Sequence, residues 1–257
     1  MNLERKINWM DLGETSIEEA RALQSDLLKK RQNKEIPDTI LFTQHPLSIN
    51  FGMSNEQNKL ADSTEAEIKH NYGSLTKDTI TQYFAEKGIP FTQSNHGGGA
   101  SVFAPGQYIC YPIVNIEDIT KKKMTKEDIS AVGIYVNRIL ETMKDTLENM
   151  GVGNVQIRET NLNPSEKKNR KDVWIDFPDK SYKIGSKAIR VEKGVAYHGF
   201  SLFVEQAGVE PFHYVKPCGY DNAEIGITSV EEQIGQKLKK EDVYSTLKKS
   251  ILKNIYQ

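Results

Sequence analysis

The strand-like segments of this sequence cluster instead of alternating regularly with helices. After a helix that is predicted to end at Gly151, NVQIRE and DVWIDF are followed by a long pair of strands through Lys183 and His198. Consecutive strands without helices between them form hairpins, which are typical of α+β proteins and not of doubly wound sheets. The sequence therefore predicts an α+β fold with mixed or antiparallel sheets that are flanked by helices.

Helices are predicted where caps precede apolar stripes. Ser16 and Glu19 form a capping box, and Ile17, Ala20, Leu23 and Leu27 follow at helical spacing. The other predicted helices are residues 79–87 ended by Gly88, a long helix capped by Thr125 and Asp128, a short helix capped by Ser229 with Glu232, and residues 242–255.

Composition limits the class of protein. The 257 residues have 37% hydrophobic content, a net charge of −1 and two cysteines, which fits one large domain or two small ones in a reducing compartment. The balanced charge argues against nucleic-acid binding. No apolar stretch reaches the roughly 18 residues that span a membrane, and the first residues lack a secretory signal. We therefore expect a soluble, cytoplasmic protein without a membrane or nucleic-acid partner.

One polar segment interrupts the apolar pattern. Residues 54–77 are rich in Glu, Lys, Asn and Ser. This composition is typical of a segment that buries little apolar surface, so we expect a mobile insert outside the core.

Cys218 is the first candidate for chemistry. Pro217 fixes a backbone dihedral beside it, and Gly219 removes a side chain that would crowd a substrate. A thiol presented in this way suits a nucleophile, although a free cysteine is also often a buried core residue. Cys110 lies within the apolar strand YICYPIVNI, where a core position is expected.

Lys183 is the candidate partner of that thiol. An ammonium group beside a thiol favours the thiolate, which is the attacking form. Lys183 stands between Tyr182 and Ile184 in an apolar context, where a charge needs a reason. The alternative is a surface lysine at a strand edge.

A glycine cluster could form a second wall of the same site. The run from His96 to Ser101 is followed by APGQ, and its backbone N–H groups could approach a ligand closely. It lacks the Gly-Lys-Ser/Thr of a P-loop and is no GxGxxG that opens a helix. A tight connection between strands is the other reading.

These segments together resemble one known family, the octanoyltransferases that move octanoyl from acyl carrier protein to lipoyl domains. The family pattern RGG-x-x-T-x-H-G-P-G-Q is similar to His96 to Gln107. The lysine motif K-I-A-x-x-G is similar to KIGSKA from Lys183, and the H-G-hydrophobic-small-L-N-V motif to HGFSLFV from His198. The PCG motif matches residues 217–219. The motifs stand in family order over residues 36 to 235.

The resemblance implies the chemistry and the site. Cys218 would carry the acyl group as a thioester, and Lys183 would lower the pKa of its thiol and shuttle protons. No cofactor and no metal are implied, and the fold would be that of biotin and lipoate protein ligases in a single domain over residues 1–257. The implied substrate-binding residues are His96, Gly97, Gly98, Gly99, Ala100, Ser101, Val102, Phe103, Ser186, Lys187, Ala188, Gly199, Phe200 and Ser201.

His198 is expected to support the site. Alternation along the strand places it on one apolar face with Phe200, Leu202 and Val204, so a hydrogen-bonded structural histidine is favoured over a catalytic base. His213 is expected at the surface.

The family also implies partners: octanoyl-acyl carrier protein as donor, and lipoyl domains of 2-oxoacid dehydrogenase complexes and the glycine cleavage H protein as acceptors. A monomer is expected. The basic runs 121–123 and 167–171 are solvated faces or docking sites for acidic carrier domains.

Departures from the family pattern concentrate on the substrate walls and bear on the acyl chain length. They are His96, Ser101, Phe103, Ala104, Lys187, Ala188 and Phe203. Two other functions stay open: an ATP-dependent lipoate or biotin ligase, and a paralogue that binds carriers or lipoyl domains without transfer. A ligase usually has an arginine near the glycine loop, where this chain has His96, and it needs no Pro-Cys-Gly nucleophile.

Overall fold

Three mixed or antiparallel sheets organise the chain in a computed structural model that describes residues 7–52, 59–93, 99–121, 129–160, 170–178, 180–216 and 225–257. The strands are β1 (Asn8–Glu14), β2 (Thr39–Gln44), β3 (Ser48–Phe51), β4 (Phe91–Gln93), β5 (Ser101–Phe103), β6 (Gln107–Asn115), β7 (Val155–Thr160), β8 (Arg170–Asp176), β9 (Ser181–Lys183), β10 (Gly185–Glu192), β11 (Val195–Phe203) and β12 (Ile225–Ile227). The helices are α1 (Ile17–Gln32), α2 (Asp62–Tyr72), α3 (Lys77–Glu86), α4 (Ile116–Thr120), α5 (Ile129–Asn149), α6 (Val230–Ile234) and α7 (Lys240–Ile255).

The main sheet has five strands in the order β1-β2-β6-β11-β10, with only β1 and β2 parallel. A second sheet has the order β12-β9-β8-β7, and a third has the order β4-β3-β5. Each of these smaller sheets also contains one parallel pair, β12 with β9 and β3 with β4. The predicted α+β class with mixed sheets is confirmed.

The largest core lies on one face of the main sheet. Residues of α5 and α7, such as Ile139, Met143 and Leu247, pack there with Val173 and Ile175 of the second sheet. The helix α1 covers the opposite face of the main sheet. Leu27 and Leu28 of α1 pack there against Leu41, Ile113 and Val195, and the predicted capping box of Ser16 and Glu19 is present at the start of the helix.

The segment expected to be a mobile insert contributes to a second core. Leu60 is 2% exposed and Ile68, in α2, is fully buried against β3, α3 and Val215. The expectation of an element outside the core is therefore wrong for residues 60–72. The reason is amphipathicity, because a few apolar residues at helical spacing bury one face of an otherwise polar helix.

The long strand pair predicted through Lys183 and His198 is divided between two sheets. β9 ends at Lys183 in the second sheet, and β10 begins at Gly185 in the main sheet. A Cβ atom at Gly185 would lie 2.8 Å from the Ser201 carbonyl oxygen. The chain changes sheets at Ile184, which is fully buried, and glycine permits the close approach that follows.

The other helices begin and end near the predicted residues. The Ser229 hydroxyl accepts from Glu232 N–H at the start of α6, and Gly151 follows α5 with a positive φ of 93°. The predicted caps Thr125 and Asp128 lie outside the described residues. In the described part of the chain, no helix is long and apolar enough to cross a membrane.

Candidate active site

Lys183 is buried beside a carboxylate. The Lys183 side chain is 8% exposed, and its Nζ lies 2.8 Å from Asp172 Oδ2, on the neighbouring strand β8. Burial of two charges is tolerated when they pair with good geometry. The alternative of a solvated surface lysine at a strand edge is therefore wrong.

The backbone around Lys183 is fixed from two sides. Thr228 N–H donates to the Lys183 carbonyl oxygen at 3.1 Å, and Phe203 N–H donates to the Ile184 carbonyl oxygen at 2.9 Å. The first bond joins Lys183 to the chain that follows β12, and the second joins its neighbour to β11. Lys183 thus lies at the junction of the second sheet and the main sheet.

Trp174 lies directly across from Lys183 in the β8–β9 pair. Its ring is 1% exposed, and the Arg158 guanidinium lies 4.7 Å from the ring centroid. Arg158 in turn binds Asp176 through Nε and one terminal nitrogen at 2.9 Å. The indole N–H of Trp174 is buried without a hydrogen-bond acceptor in the described part of the chain.

Cys218 lies outside the described residues, but both flanking segments are placed. On its N-terminal side, Leu60 and Val215 form an antiparallel bridge, and Lys216 N–H donates to the Lys59 carbonyl oxygen at 2.9 Å. The Lys216 ammonium also lies 2.8 Å from Asp62 Oδ1, at the first residue of α2.

On the C-terminal side of Cys218, the chain returns as β12. This strand runs parallel to β9, with Ile225 opposite Ser181 and Ile227 opposite Lys183. The structure therefore places the strand that follows Pro-Cys-Gly directly beside the strand that carries Lys183.

Two of the predicted substrate-binding segments are neighbours. Ser186 pairs with Ser201, Lys187 with Phe200 and Ala188 with Gly199 across β10 and β11. Gly199 has a φ of 157°, and a Cβ atom there would lie 2.1 Å from the Cys110 carbonyl oxygen. Only glycine fits at that position.

His198 is not on the face predicted from strand alternation. Its φ of 59° is a left-handed conformation, which rotates the residue out of the regular strand geometry. The backbone N–H of His198 donates to Gln24 Oε1 of α1 at 3.0 Å. The side chain lines a cleft with Gln24 and Tyr197 on the α1 side of the main sheet. The prediction that it shares a face with Phe200 is therefore wrong, because a left-handed residue interrupts the alternation of the strand. His213 is exposed as predicted.

The described end of the glycine cluster forms β5 of the third sheet. Gly99 and Ala100 precede the strand, which comprises Ser101, Val102 and Phe103 and pairs with β3. His96, Gly97 and Gly98 lie outside the described residues. The Phe103 ring meets the His45 ring edge-on, with the centroids 5.3 Å apart.

His45 is a buried polar residue that the sequence interpretation missed. Its Nδ1 lies 2.7 Å from the Thr15 carbonyl oxygen, and its Nε2 lies 2.8 Å from the Tyr111 hydroxyl. A carbonyl only accepts, so Nδ1 carries the hydrogen and the Tyr111 O–H donates to Nε2. Burial lowers the pKa of His45 below its ordinary value. The signal available in the sequence was a histidine at the end of the apolar run TILFTQ.

Cys110 is a core residue, as predicted. It is fully buried, and burial raises the pKa of its thiol well above the usual value. In the described part of the chain, no three His, Cys, Asp or Glu side chains are arranged to hold a metal ion.

A comparison with known families identifies the family of this chain. The sequence profile described as the lipoyl protein ligase A/B catalytic domain matches residues 16–252. The chain belongs to this family. The matched residues include β8, β9 and the Pro-Cys-Gly segment, so the resemblance inferred from the motifs is confirmed.

Two similar proteins are named octanoyltransferase. The chain is 29% identical over 231 residues to an octanoyltransferase from Alkaliphilus metalliredigens, and the aligned residues cover 89% of this chain and 86% of the relative. It is 27% identical over 247 residues to an octanoyltransferase from Corynebacterium jeikeium, with 94% and 84% covered. The prediction of a transferase enzyme is confirmed.

Solved structures of lipoate protein ligases share the fold. The putative lipoate protein ligase Ta0514 from T. acidophilum with bound lipoic acid has a TM-score of 0.64 at 14% identity, covering 98% of this chain and 86% of that chain. Lipoate-protein ligase A bound with ATP has a TM-score of 0.63 at 16% identity, covering 98% and 86%. At this identity the likeness shows a common fold.

Proposed function

We propose that this enzyme transfers an octanoyl group from acyl carrier protein to a lysine of a lipoyl domain, through a thioester on Cys218. The observation that carries the proposal is that the family match spans residues 16–252, which include Lys183 and the Pro-Cys-Gly segment, and that similar proteins are named octanoyltransferase. The burial of Lys183 supports it, since a buried lysine is suited to proton transfer. The acceptors would be lipoyl domains of 2-oxoacid dehydrogenase complexes and the glycine cleavage H protein.

The first half-reaction is a thioester exchange. The Cys218 thiolate attacks the octanoyl carbonyl carbon, a C–S bond to Cys218 forms, and the bond to the carrier's phosphopantetheine sulfur breaks. Lys183 as an ammonium favours the attacking thiolate and then gives its proton to the departing sulfur. One thioester replaces another, so this step needs no ATP.

The second half-reaction forms an amide. The acceptor lysine amine attacks the Cys218 thioester, a C–N bond forms, and the Cys218 thiolate leaves. Lys183, now neutral, takes the proton that the attacking amine loses. In this proposal the acyl oxygen would accept hydrogen bonds from backbone N–H groups at and near Gly99 and Gly199. Each such donor would stabilise the transition state by about 3 kcal/mol.

Mass spectrometry of the intact protein tests the proposal. Incubation with octanoyl-acyl carrier protein is expected to add one octanoyl group at Cys218, and later addition of a lipoyl domain is expected to remove it. Cys218→Ser should form no thioester, while the matched variant Cys110→Ser should acylate normally because Cys110 is a core residue.

Parallel reactions separate the other two functions. Modification of a lipoyl domain by ATP plus free octanoate, without acyl carrier protein, would identify a ligase and contradict the proposal. Binding of the carrier or of the lipoyl domain without any acyl transfer would identify a non-catalytic paralogue.

A further inference from the structure

Asp172 of β8 and Lys183 of β9 form a buried ion pair within the second sheet. The Asp172 and Lys183 side chains are 12% and 8% exposed, and the atoms Oδ2 and Nζ are 2.8 Å apart. Two charges so far from water are stable only as a well-formed pair. The pair therefore constrains the protonation of Lys183 as well as its position.

The carboxylate itself has a fixed orientation. Asp172 Oδ1 accepts from the backbone N–H of Val173 at 3.2 Å, while Oδ2 faces Lys183 Nζ. One oxygen is thus bound to the strand β8 and the other to the lysine. A carboxylate held in this way fixes the ammonium group relative to the sheet.

Several other charged groups on or near the elements beside β9 have partners of their own. Arg158 of β7 binds Asp176 of β8, and Lys180 lies 5.7 Å from the centroid of the Tyr182 ring. On the β12 side, Glu232 accepts a hydrogen bond from the Thr228 hydroxyl at 2.7 Å. Lys187 of β10 and Lys171 of β8 are further cations on these strands. Within the described residues, Asp172 is the carboxylate recorded in an ion pair with Lys183.

We propose that Asp172 is a positioning residue of the transfer reaction, which holds Lys183 Nζ in place and keeps it protonated until the carrier sulfur leaves. This inference rests on the proposed function, because it assigns Asp172 a role through the proton-transferring Lys183. Asp172 contacts Lys183 Nζ, but in this mechanism it forms no bond to the acyl group and carries no transferred proton.

Removal of the Asp172 carboxylate should lower the pH at which Lys183 loses its proton. A neighbouring negative charge favours the charged form of lysine, and burial without that charge favours the neutral form. In Asp172→Asn, Lys183 should therefore lose its proton at lower pH than in the wild-type enzyme. The alkaline limb of the pH profile of kcat should move to lower pH by about one unit or more.

The experiment compares Asp172→Asn with Asp176→Asn. Asp176 lies on the same strand and is also in an ion pair, but its partner is Arg158. We expect Asp172→Asn to lower kcat about tenfold or more at pH 8, with little change in KM for octanoyl-acyl carrier protein. Asp176→Asn should leave both kcat and the alkaline limb near wild type. An unshifted limb in Asp172→Asn, or an equal shift in both variants, would overturn the proposal.

An NMR titration separates this inference from the proposed function. The 13Cε signal of Lys183, assigned by its absence in Lys183→Arg, reports protonation without any substrate. If the wild-type enzyme transfers no octanoyl, the proposed function fails, while the titration of Asp172→Asn still shows whether Asp172 keeps Lys183 protonated.

A charge-conserving variant covers a failure to fold. If circular dichroism shows that Asp172→Asn is unfolded, Asp172→Glu is expected to keep the wild-type alkaline limb while kcat falls, because the charge remains but Nζ is displaced. An alkaline limb in Asp172→Glu that moves to lower pH by about one unit or more would contradict the proposal.

Discussion

Leu60 and Val215 form an isolated antiparallel bridge between the start of α2 and the segment that leads to Cys218. Both residues belong to the second core, together with Ile68 of α2 and Phe84 of α3. The polar-looking segment of the sequence therefore supports the chain that carries the proposed nucleophile. Packing in the second core and the position of Cys218 should be linked.

Truncation of Leu60 tests this link. Leu60 is 2% exposed, so Leu60→Ala should lower the free energy of unfolding by about 2 to 4 kcal/mol. The rate of acyl transfer by the folded fraction should also fall, because the segment that leads from Val215 to Cys218 loses its packing against Leu60. Urea unfolding measures the first effect and single-turnover acylation the second. Leu75→Ala is the control, since Leu75 is 36% exposed. An unchanged unfolding midpoint in Leu60→Ala would contradict the assignment of Leu60 to a core.

The two cysteines should differ in reactivity. Burial raises the pKa of the Cys110 thiol, so little thiolate forms there at neutral pH. We expect iodoacetamide at pH 7.5 to alkylate Cys218 in the native protein and Cys110 only in urea. Peptide mass spectrometry measures both sites in one sample. Rapid labelling of native Cys110 would show that its strand opens readily.

The aromatic substitutions in the family motifs bear on acyl chain length. Phe203 is 2% exposed and its ring lies 5.2 Å from that of Phe212, while Phe103 packs edge-on against His45. We predict a preference for chains shorter than eight carbons if these rings narrow an acyl tunnel. Each buried methylene contributes about 0.8 kcal/mol, or roughly fourfold in rate.

Carriers loaded with C4 to C12 chains measure this preference. Phe103→His and Phe203→Asn should move the optimum to longer chains, whereas Phe177→Asn, at a residue that is 42% exposed, should not. A C8 optimum that neither variant shifts would mean that the two rings only fill the core.

His45 should make the protein sensitive to acid. Burial lowers the pKa of His45 in the folded state below the value of 6.5 that an exposed histidine has. Below pH 6.5 the unfolded chain therefore binds a proton that the folded protein does not bind. The free energy of unfolding is highest above pH 6.5 and decreases as the pH falls from 6.5 to the lower pKa of the folded state. The loss approaches about 1.4 kcal/mol per pH unit.

Urea midpoints between pH 8 and pH 5 test this expectation. His45→Gln should be less stable than wild type at pH 8, but its midpoint should fall less steeply with pH. His213→Gln serves as the control because His213 is exposed. Parallel pH curves for wild type and His45→Gln would exclude His45 as a source of acid sensitivity.

Local signals predicted much of the fold. The capping box at Ser16, the glycine after α5 and the cap at Ser229 each satisfy free backbone groups within a few residues, so the sequence alone reveals them. The helix α2 was missed because its apolar face is narrow. Leu60 and Ile68 are buried by distant partners such as Val215, which local composition does not show.

The site was predicted in part, for a similar reason. Motif order pointed to Lys183, and the structure shows it buried, but the ion pair with Asp172 depends on the register of β8 against β9. That register joins residues eleven positions apart through a loop whose length the strand pattern leaves open. His198 was misplaced because a single left-handed residue reverses the face that alternation predicts.

Because the chain changes sheets at Ile184, both ends of the motif Lys-Ile-Gly-Ser are held by a sheet, and the number of residues between them is constrained. Lys183 is in register with Trp174 and Ile227, and Ser186 is in register with Ser201, so neither end can slide without breaking a sheet. Deletion of Ile184 would shift one strand by one residue, so that its side chains would point to the opposite face of its sheet. The two residues between Lys183 and Ser186 thus set the distance from the proposed proton-transferring group of Lys183 to the predicted acyl-binding wall.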